Sequence, residues 1–258
     1  MTFLGRAIRS RKPLTTNGRR IYAIGDVHGC FELLIDLLMR IKRDNDARPA
    51  AETLIIMLGD YIDRGPQSRQ VCELLSRITI SRAFHCLKGN HEQVMLNILD
   101  GDETLVASWL EFGGREALLS WKMDIELIHG VETGKLDPIM LVEAFRSLVS
   151  PNVVEWMRGL PSFHQEGDYL FVHAGVRPKA GLDTQSDQEF LWIREPFLSS
   201  RYAHPWRVVH GHTQTQEVAM LSNRIGIDTG AYRTGILTAV GIQDDECWSI
   251  QTDAPQLL

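Results

Sequence analysis

A chain of 258 residues, 44% hydrophobic and 23% charged, has the composition of an ordinary globular protein. That excludes a disordered chain, a collagen-like repeat and a disulfide-dense mini-protein, and the length buries a large core in one or two domains. Against 33 Asp and Glu stand 27 Lys and Arg, a net charge of −6; general nucleic-acid binding needs a basic face and is disfavoured, although a local basic pocket stays open.

The first 20 residues carry six Arg and Lys and no acid. They lack the apolar stretch of about 7–15 residues that marks a secretory signal. Residues 1–19 read as a basic tail, either solvated or held to an anionic surface. Residues 21–24 form a short β-type apolar run closed by Gly25-Asp26, a buried strand ending in a tight loop. Residues 31–41 suit a helix packed on a sheet. A second strand at 53–58 again closes on Gly-Asp, a helix follows at 67–77, and a third strand at 83–87 ends in Lys88-Gly89-Asn90. This β-α-β-α-β order predicts an α/β core with crossover helices.

From about residue 92 to 160 the pattern turns helical, with segments at 92–99, 103–112, 115–123, 141–148 and 153–160, broken by Gly113-Gly114 and Pro138. This is a helical insertion and not a free domain. Short strands return at 169–172, 206–209, 217–221, 224–227, 234–240 and 247–250, and Ser222-Asn223 would turn a hairpin. Residues 178–187 are the expected mobile surface loop. The chain has no apolar run of about 18 residues, so no membrane span is expected. Its four cysteines form no C-x-x-C pair, which points to reduced thiols and a cytoplasmic location. Cys30 reads as a buried helix-start residue and not as a redox switch.

Each of the first three strands ends in a polar cluster: GDVHG at 25–29, GDYIDRG at 59–65 and GNHE at 89–92. Loops at the carboxyl ends of strands in an open α/β sheet converge on one crevice. Asp26, His28, Asp60, Asp63, Arg64, Asn90 and His91 should therefore lie together. His173-Ala174-Gly175 and His210-Gly211-His212-Thr213 also follow strands. Carboxylate, imidazole and amide ligands without thiolate suit Mn, Fe or Zn. Six candidate ligands are too many for one ion with an open position. They fit two ions about 3.5–4 Å apart sharing a carboxylate, and Asp60, in the central cluster, is the natural bridge. His85, His129 and His164 fall outside any cluster and read as ordinary packed or exposed residues.

These clusters resemble those of the metallophosphoesterase superfamily, and more narrowly of the phosphoprotein phosphatase family with its bacterial serine/threonine phosphatases. The family pattern GDxHG, GDxxDRG, GNHE, an isolated His and a GHT-type His is matched between residues 25 and 213. The resemblance implies a calcineurin-like fold, with two mixed β-sheets packed face to face, helices outside each, and a catalytic domain over 20–258. It implies Asp26, His28 and Asp60 at a first divalent metal, and Asp60, Asn90, His173 and His212 at a second. Mn²⁺ is the first choice of ion, with Fe or Zn accepted. It implies His91 as general acid, Asp63 as its orienting carboxylate, and Arg64 as a phosphate grip. Arg194, in Trp192-Ile193-Arg194-Glu195, matches the family's second phosphate-binding Arg, and Arg177 is a weaker competitor. Asn90 and His91 would also touch substrate.

GHT selects His212 over His210, which would be a neighbouring donor or merely packed. Gln214 stands where nuclease-like branches carry a further His. Ile227 to Tyr232 resembles a bacterial family signature, in which Asp228 would shape a turn or support the site.

The implied activity is direct hydrolysis of phosphomonoesters by a metal-bridging hydroxide, with phosphoserine or phosphothreonine proteins, and phosphotyrosine among them, as first choice. A dinucleoside polyphosphate hydrolase is the alternative. Asp63 and Glu92 favour the first, because the symmetric diadenosine tetraphosphatases tend to lack the acid and end the third motif in Asp. A non-catalytic phosphoprotein scaffold is the reading from another class.

Overall fold

The computed structural model describes residues 14–254. In chain order the elements are β1 (Arg20–Ile24), α1 (Phe31–Ala47), β2 (Thr53–Met57), α2 (Ser68–Ile78) and β3 (Phe84–Cys86). Six helices follow: α3 (Asn90–Asp100), α4 (Val106–Trp109), α5 (Arg115–Ser120), α6 (Ile125–Glu132), α7 (Pro138–Leu148) and α8 (Pro151–Arg158). The second half holds β4 (Phe163–Glu166), β5 (Tyr169–Val172), α9 (Asp187–Trp192), β6 (Arg207–His210), β7 (Ala219–Met220) and β8 (Arg224–Gly226). It closes with α10 (Ala231–Thr234), β9 (Thr238–Gln243) and β10 (Glu246–Gln251).

Two five-stranded mixed sheets result, ordered β10-β9-β1-β2-β3 and β4-β5-β6-β8-β7. β1, β2 and β3 run parallel, and β9 returns antiparallel against β1. Every residue of β1 is buried because the sheet is covered on both faces, which explains its unbroken apolar run. Ile21 and Ala23 face Phe171, Val209 and Ile225 of the other sheet. Tyr22 and Ile24 face the helices with Leu34, Val71 and Met95. Each such side chain, fully buried, contributes roughly 1.5–3 kcal/mol. The helices of the insertion share this second cluster with α1 and α2, so the insertion is part of the domain's own core. Phe190, Phe197 and Val208 fill the outer face of the second sheet.

Some sequence expectations are redrawn. α6, α9 and β4 had no expected counterpart. Pro138 does not break a helix; it opens α7, where its missing N–H leaves nothing unsatisfied. The strand expected at 234–240 divides into α10 and the later β9, because Gly235 ends the helix in the left-handed region. In the loop at 178–187 the Gln185 amide accepts the Arg177 N–H at 2.7 Å and donates to the Arg177 carbonyl at 3.0 Å. The expected hairpin forms between β7 and β8. Order also begins before Arg20. The Thr15 N–H donates to Asp168 and the Thr16 N–H to Asp244, so residues 14–19 are docked on the domain. The rest of the expected basic tail lies outside the described residues. No helix among the described residues is long and apolar enough to cross a membrane.

Candidate metal centre

Three parallel strands deliver Asp26, Asp60 and Asn90 to one edge of the first sheet, and β5 and β6 deliver His173 and His212 from the second. Donor atoms of His28, Asp60 and His91 lie within 4.8 Å of one another, as do those of Asp60, His173 and His212. Asp60 belongs to both sets. Its Oδ2 is 3.5 Å from His28 Nε2, and its Oδ1 is 3.4 Å from His173 Nε2. Asp26 is outside both tight sets. Its carboxylate accepts the His212 N–H at 3.0 Å.

The pattern of lone pairs tests whether a cation suits these residues. His173 donates its Nδ1–H to the Leu58 carbonyl at 2.8 Å, which leaves a lone pair on Nε2. That lone pair faces Asn90 Oδ1 at 2.9 Å and the Asp60 carboxylate. His28 is committed in the same way, its Nδ1–H to the Ile62 carbonyl at 2.8 Å, with Nε2 turned towards Asp60. Around His173, Asn90 and Asp60 acceptors therefore converge on acceptors, which is unfavourable unless a cation stands among them, whereas the His28 Nε2 lone pair takes an N–H from Arg64 at 2.7 Å. Backbone carbonyls that orient ligating imidazoles are the expected support of a metal site. Burial holds His28, His173 and His212 below the usual imidazole range, His212 at about 3, so each stays neutral and offers a lone pair. The donor set fits two divalent ions with oxygen and nitrogen ligands.

The catalytic candidates gather beside these sets. His91 Nδ1–H donates to Asp63 Oδ2 at 2.6 Å. Burial would lower His91, but Asp60 and then Asp63 prevail and push it up to about 8. Arg64 approaches His28 Nε2 at 2.7 Å and His91 Nε2 at 3.1 Å. Arg64 and Arg194 line one cavity of about 540 Å³ with Asp60, Asn90, His91 and His212. Arg177 instead pairs with Glu189 and the Thr184 carbonyl, which leaves Arg194 as the arginine at the site. His210 belongs to neither set: its ring meets Phe197 at 5.1 Å. The Asp228 carboxylate accepts the Gly230 N–H at 2.9 Å, so it shapes the turn. The rings of His85 and His164 meet at 4.5 Å, tilted by 53°.

Three features escaped the sequence reading. Trp109 donates its indole N–H to Asp63 Oδ2 at 2.9 Å. Tyr232 lies under Arg64, the guanidinium carbon 5.0 Å from the ring centre. Glu92, read only as a family marker, takes the N–H groups of Asp60 at 2.9 Å, Tyr61 at 2.8 Å and Gly89 at 2.9 Å, and so stitches the second and third loops together. A further signature is in the backbone. His28, Asp60, Asp63, Arg64 and His212 all have positive φ, between 44° and 72°. Left-handed geometry at non-glycine residues costs roughly 1–2 kcal/mol each and concentrates where function requires it.

A family model described as calcineurin-like phosphoesterase matches residues 19–234. The chain is 24% identical over 253 residues to the asymmetrical bis(5'-nucleosyl)-tetraphosphatase PrpE of Halalkalibacterium halodurans, covering 90% of this chain and 94% of that protein. It is 26% identical over 235 residues to serine/threonine-protein phosphatase 1 of Salmonella typhimurium, covering 88% and 94%. Its fold resembles a solved structure provisionally described as a diadenosine tetraphosphatase, with a TM-score of 0.61 and 21% identity over 93% of this chain and 96% of that one.

Proposed function

Because the chain belongs to the calcineurin-like phosphoesterase family, we propose that this phosphoester hydrolase acts on dinucleoside polyphosphates, cutting a tetraphosphate asymmetrically into a nucleoside triphosphate and a monophosphate. The observation that carries hydrolysis is the two groups of candidate ligand atoms sharing Asp60, His91 among the first, with Arg64 and Arg194 at their side. The order of substrates reverses the sequence expectation. Asp63 and Glu92 argued only against symmetric tetraphosphatases, whereas the tetraphosphatase relative at 24% identity is named asymmetrical. The phosphatase relative at 26% identity keeps phosphoserine and phosphothreonine proteins as the second reading.

Asp26, His28 and Asp60 would hold one divalent ion, and Asp60, Asn90, His173 and His212 the other. Such a pair supplies positive charge and makes water acidic enough to attack at neutral pH. The chain's own residues do the rest. Arg64 and Arg194 grip the phosphate oxygens, where a guanidinium fork matches the geometry. A water oxygen bonds to phosphorus in line and releases one proton to solvent, and the bridging P–O bond breaks with its electron pair on the leaving oxygen. His91 donates the Nε2 proton to that oxygen, and Asp63 keeps the ring turned to do so.

The test is paired turnover by chelator-stripped protein re-supplied with Mn²⁺, on diadenosine tetraphosphate and on a phosphothreonine peptide. Faster dinucleotide cleavage to ATP and AMP supports the proposal. Cleavage to two ADP, or faster peptide turnover, overturns it.

A further inference from the structure

The cavity over the metal centre has two aromatic side chains that the chemistry does not use. Phe112 is 60% exposed and Trp192 is 38% exposed, although both line the 540 Å³ space with Arg64, Arg194 and His212. They come from distant parts of the chain and adjoin different ligand sets. Trp192 ends α9, and its ring meets that of His212 at 6.4 Å, beside the His173 set. Phe112 lies in the wide turn Leu110–Gly114 between α4 and α5. There Gly113 adopts φ 109° and its carbonyl accepts the Arg64 N–H at 2.9 Å, beside the His28 set. A Cβ on Gly113 would come within 2.6 Å of Arg64, so the turn presses on the Arg64 loop and holds Phe112 at a fixed offset from it.

Resting on the proposed hydrolysis, we propose that Phe112 and Trp192 are stacking platforms for the two nucleobases of a dinucleoside polyphosphate, one beyond each ligand set. Every base offers a π-face to an aromatic ring, and exposed aromatics beside a phosphate-binding charge are the recurrent device for holding nucleotides. The charges suit this occupant: the arginines and candidate metal ligands would lie at the phosphates, while the neutral amides of Gln188 and of the bonded pair Gln93 and Asn97 share the rest of the lining with apolar side chains. Amides present both donors and acceptors to base edges.

The experiment compares wild type, Phe112→Leu, Trp192→Leu, Trp192→Phe and the double leucine variant. Calorimetry reads affinity for a methylene-bridged diadenosine tetraphosphate, which resists cleavage. Turnover of diadenosine tetraphosphate is set against turnover of inorganic tetraphosphate, which has no base. Each leucine variant should weaken analogue binding roughly tenfold and the two should multiply, while Trp192→Phe stays near wild type. The preference for dinucleotide over inorganic tetraphosphate should fall in parallel. Unchanged affinity, or equal losses on the two substrates, overturns the proposal. So does a loss confined to phosphothreonine-peptide turnover, which would make these rings a peptide-docking surface. If wild type binds the analogue through both rings yet fails to cleave the dinucleotide, the platforms stand and the proposed reaction falls.

Discussion

Trp109 and His91 share one oxygen: Asp63 Oδ2 receives the indole N–H at 2.9 Å and the imidazole Nδ1–H at 2.6 Å. Trp109 is 46 residues away from Asp63, on α4 of the helical insertion, and buried against Phe145. The indole fixes the carboxylate, and the carboxylate fixes the ring of the general-acid candidate. Trp109→Phe should therefore lower kcat by about tenfold and leave KM nearly unchanged. Folding stability should fall by roughly 1–3 kcal/mol from the altered packing. Steady-state kinetics beside thermal unfolding separates the two; an unchanged kcat removes Trp109 from the relay.

His91→Asn should cost the most where the leaving oxygen is a poor one. With an alkyl phosphate the loss should reach roughly 10²–10⁴-fold in kcat. With a phosphoanhydride, whose leaving phosphate is far more acidic, it should be smaller. Equal losses on β-glycerophosphate and diadenosine tetraphosphate would sink the acid role.

Asp60 touches both ligand sets, one carboxylate oxygen to each. Asp60→Asn should reduce the bound divalent metal by both ions and not by one. Elemental analysis of dialysed protein reads this directly. A variant that keeps two ions and normal turnover would remove Asp60 as the bridge.

Gly211 lies between His210 and His212 where a Cβ would stand 2.0 Å from Asp26 Oδ1. Gly211→Ala should therefore displace Asp26 and the His212 backbone that donates to it. Metal affinity is expected to fall by about 10–100-fold, the range for disturbed support of a ligand, with a modest change in melting temperature. Unaltered metal affinity would show that Asp26 does not need its present place.

Far from the site, Asp44 Oδ2 accepts from the Tyr22 hydroxyl at 2.7 Å, Arg48 Nε at 2.9 Å and Trp248 Nε1 at 3.0 Å. Burial would raise this carboxyl, but Arg48 and Tyr22 outweigh it and hold Asp44 below its ordinary value. A carboxyl depressed in the folded state stabilises above its unfolded pKa of about 4, and that contribution fades as pH falls through the folded value. Asp44→Asn should lose on the order of 1 kcal/mol at pH 7 after solvent screening, and the gap to wild type should narrow as pH falls below the ordinary carboxylate range. A pH series of urea titrations measures it; a gap that widens in acid would contradict the assignment.

The convergence of the candidate ligand residues was legible because their spacing is local. Each of Asp26, Asp60 and Asn90 follows the end of a strand by two to four residues, and parallel strands linked by helices carry such loops to one edge. His212 was separable from His210 by motif, and the fold places them on different neighbours. The edges of elements were less legible. A proline opening α7 and a glycine ending α10 are read differently only once the flanking residues have packed.

Residue type, spacing and strand order thus determined the donor set, the α/β class and the crevice, because these follow from periodicity and chain connectivity. Tertiary structure decided what depends on contacts between distant segments. The second sheet brings His173 to Asp60, the insertion lays Trp109 on Asp63, and Gly113 seats Phe112 beside Arg64. Such pairings leave no periodic trace in the chain, since they arise from the packing of whole elements. The left-handed backbone at five site residues belongs to the same class: only a surrounding core can hold it.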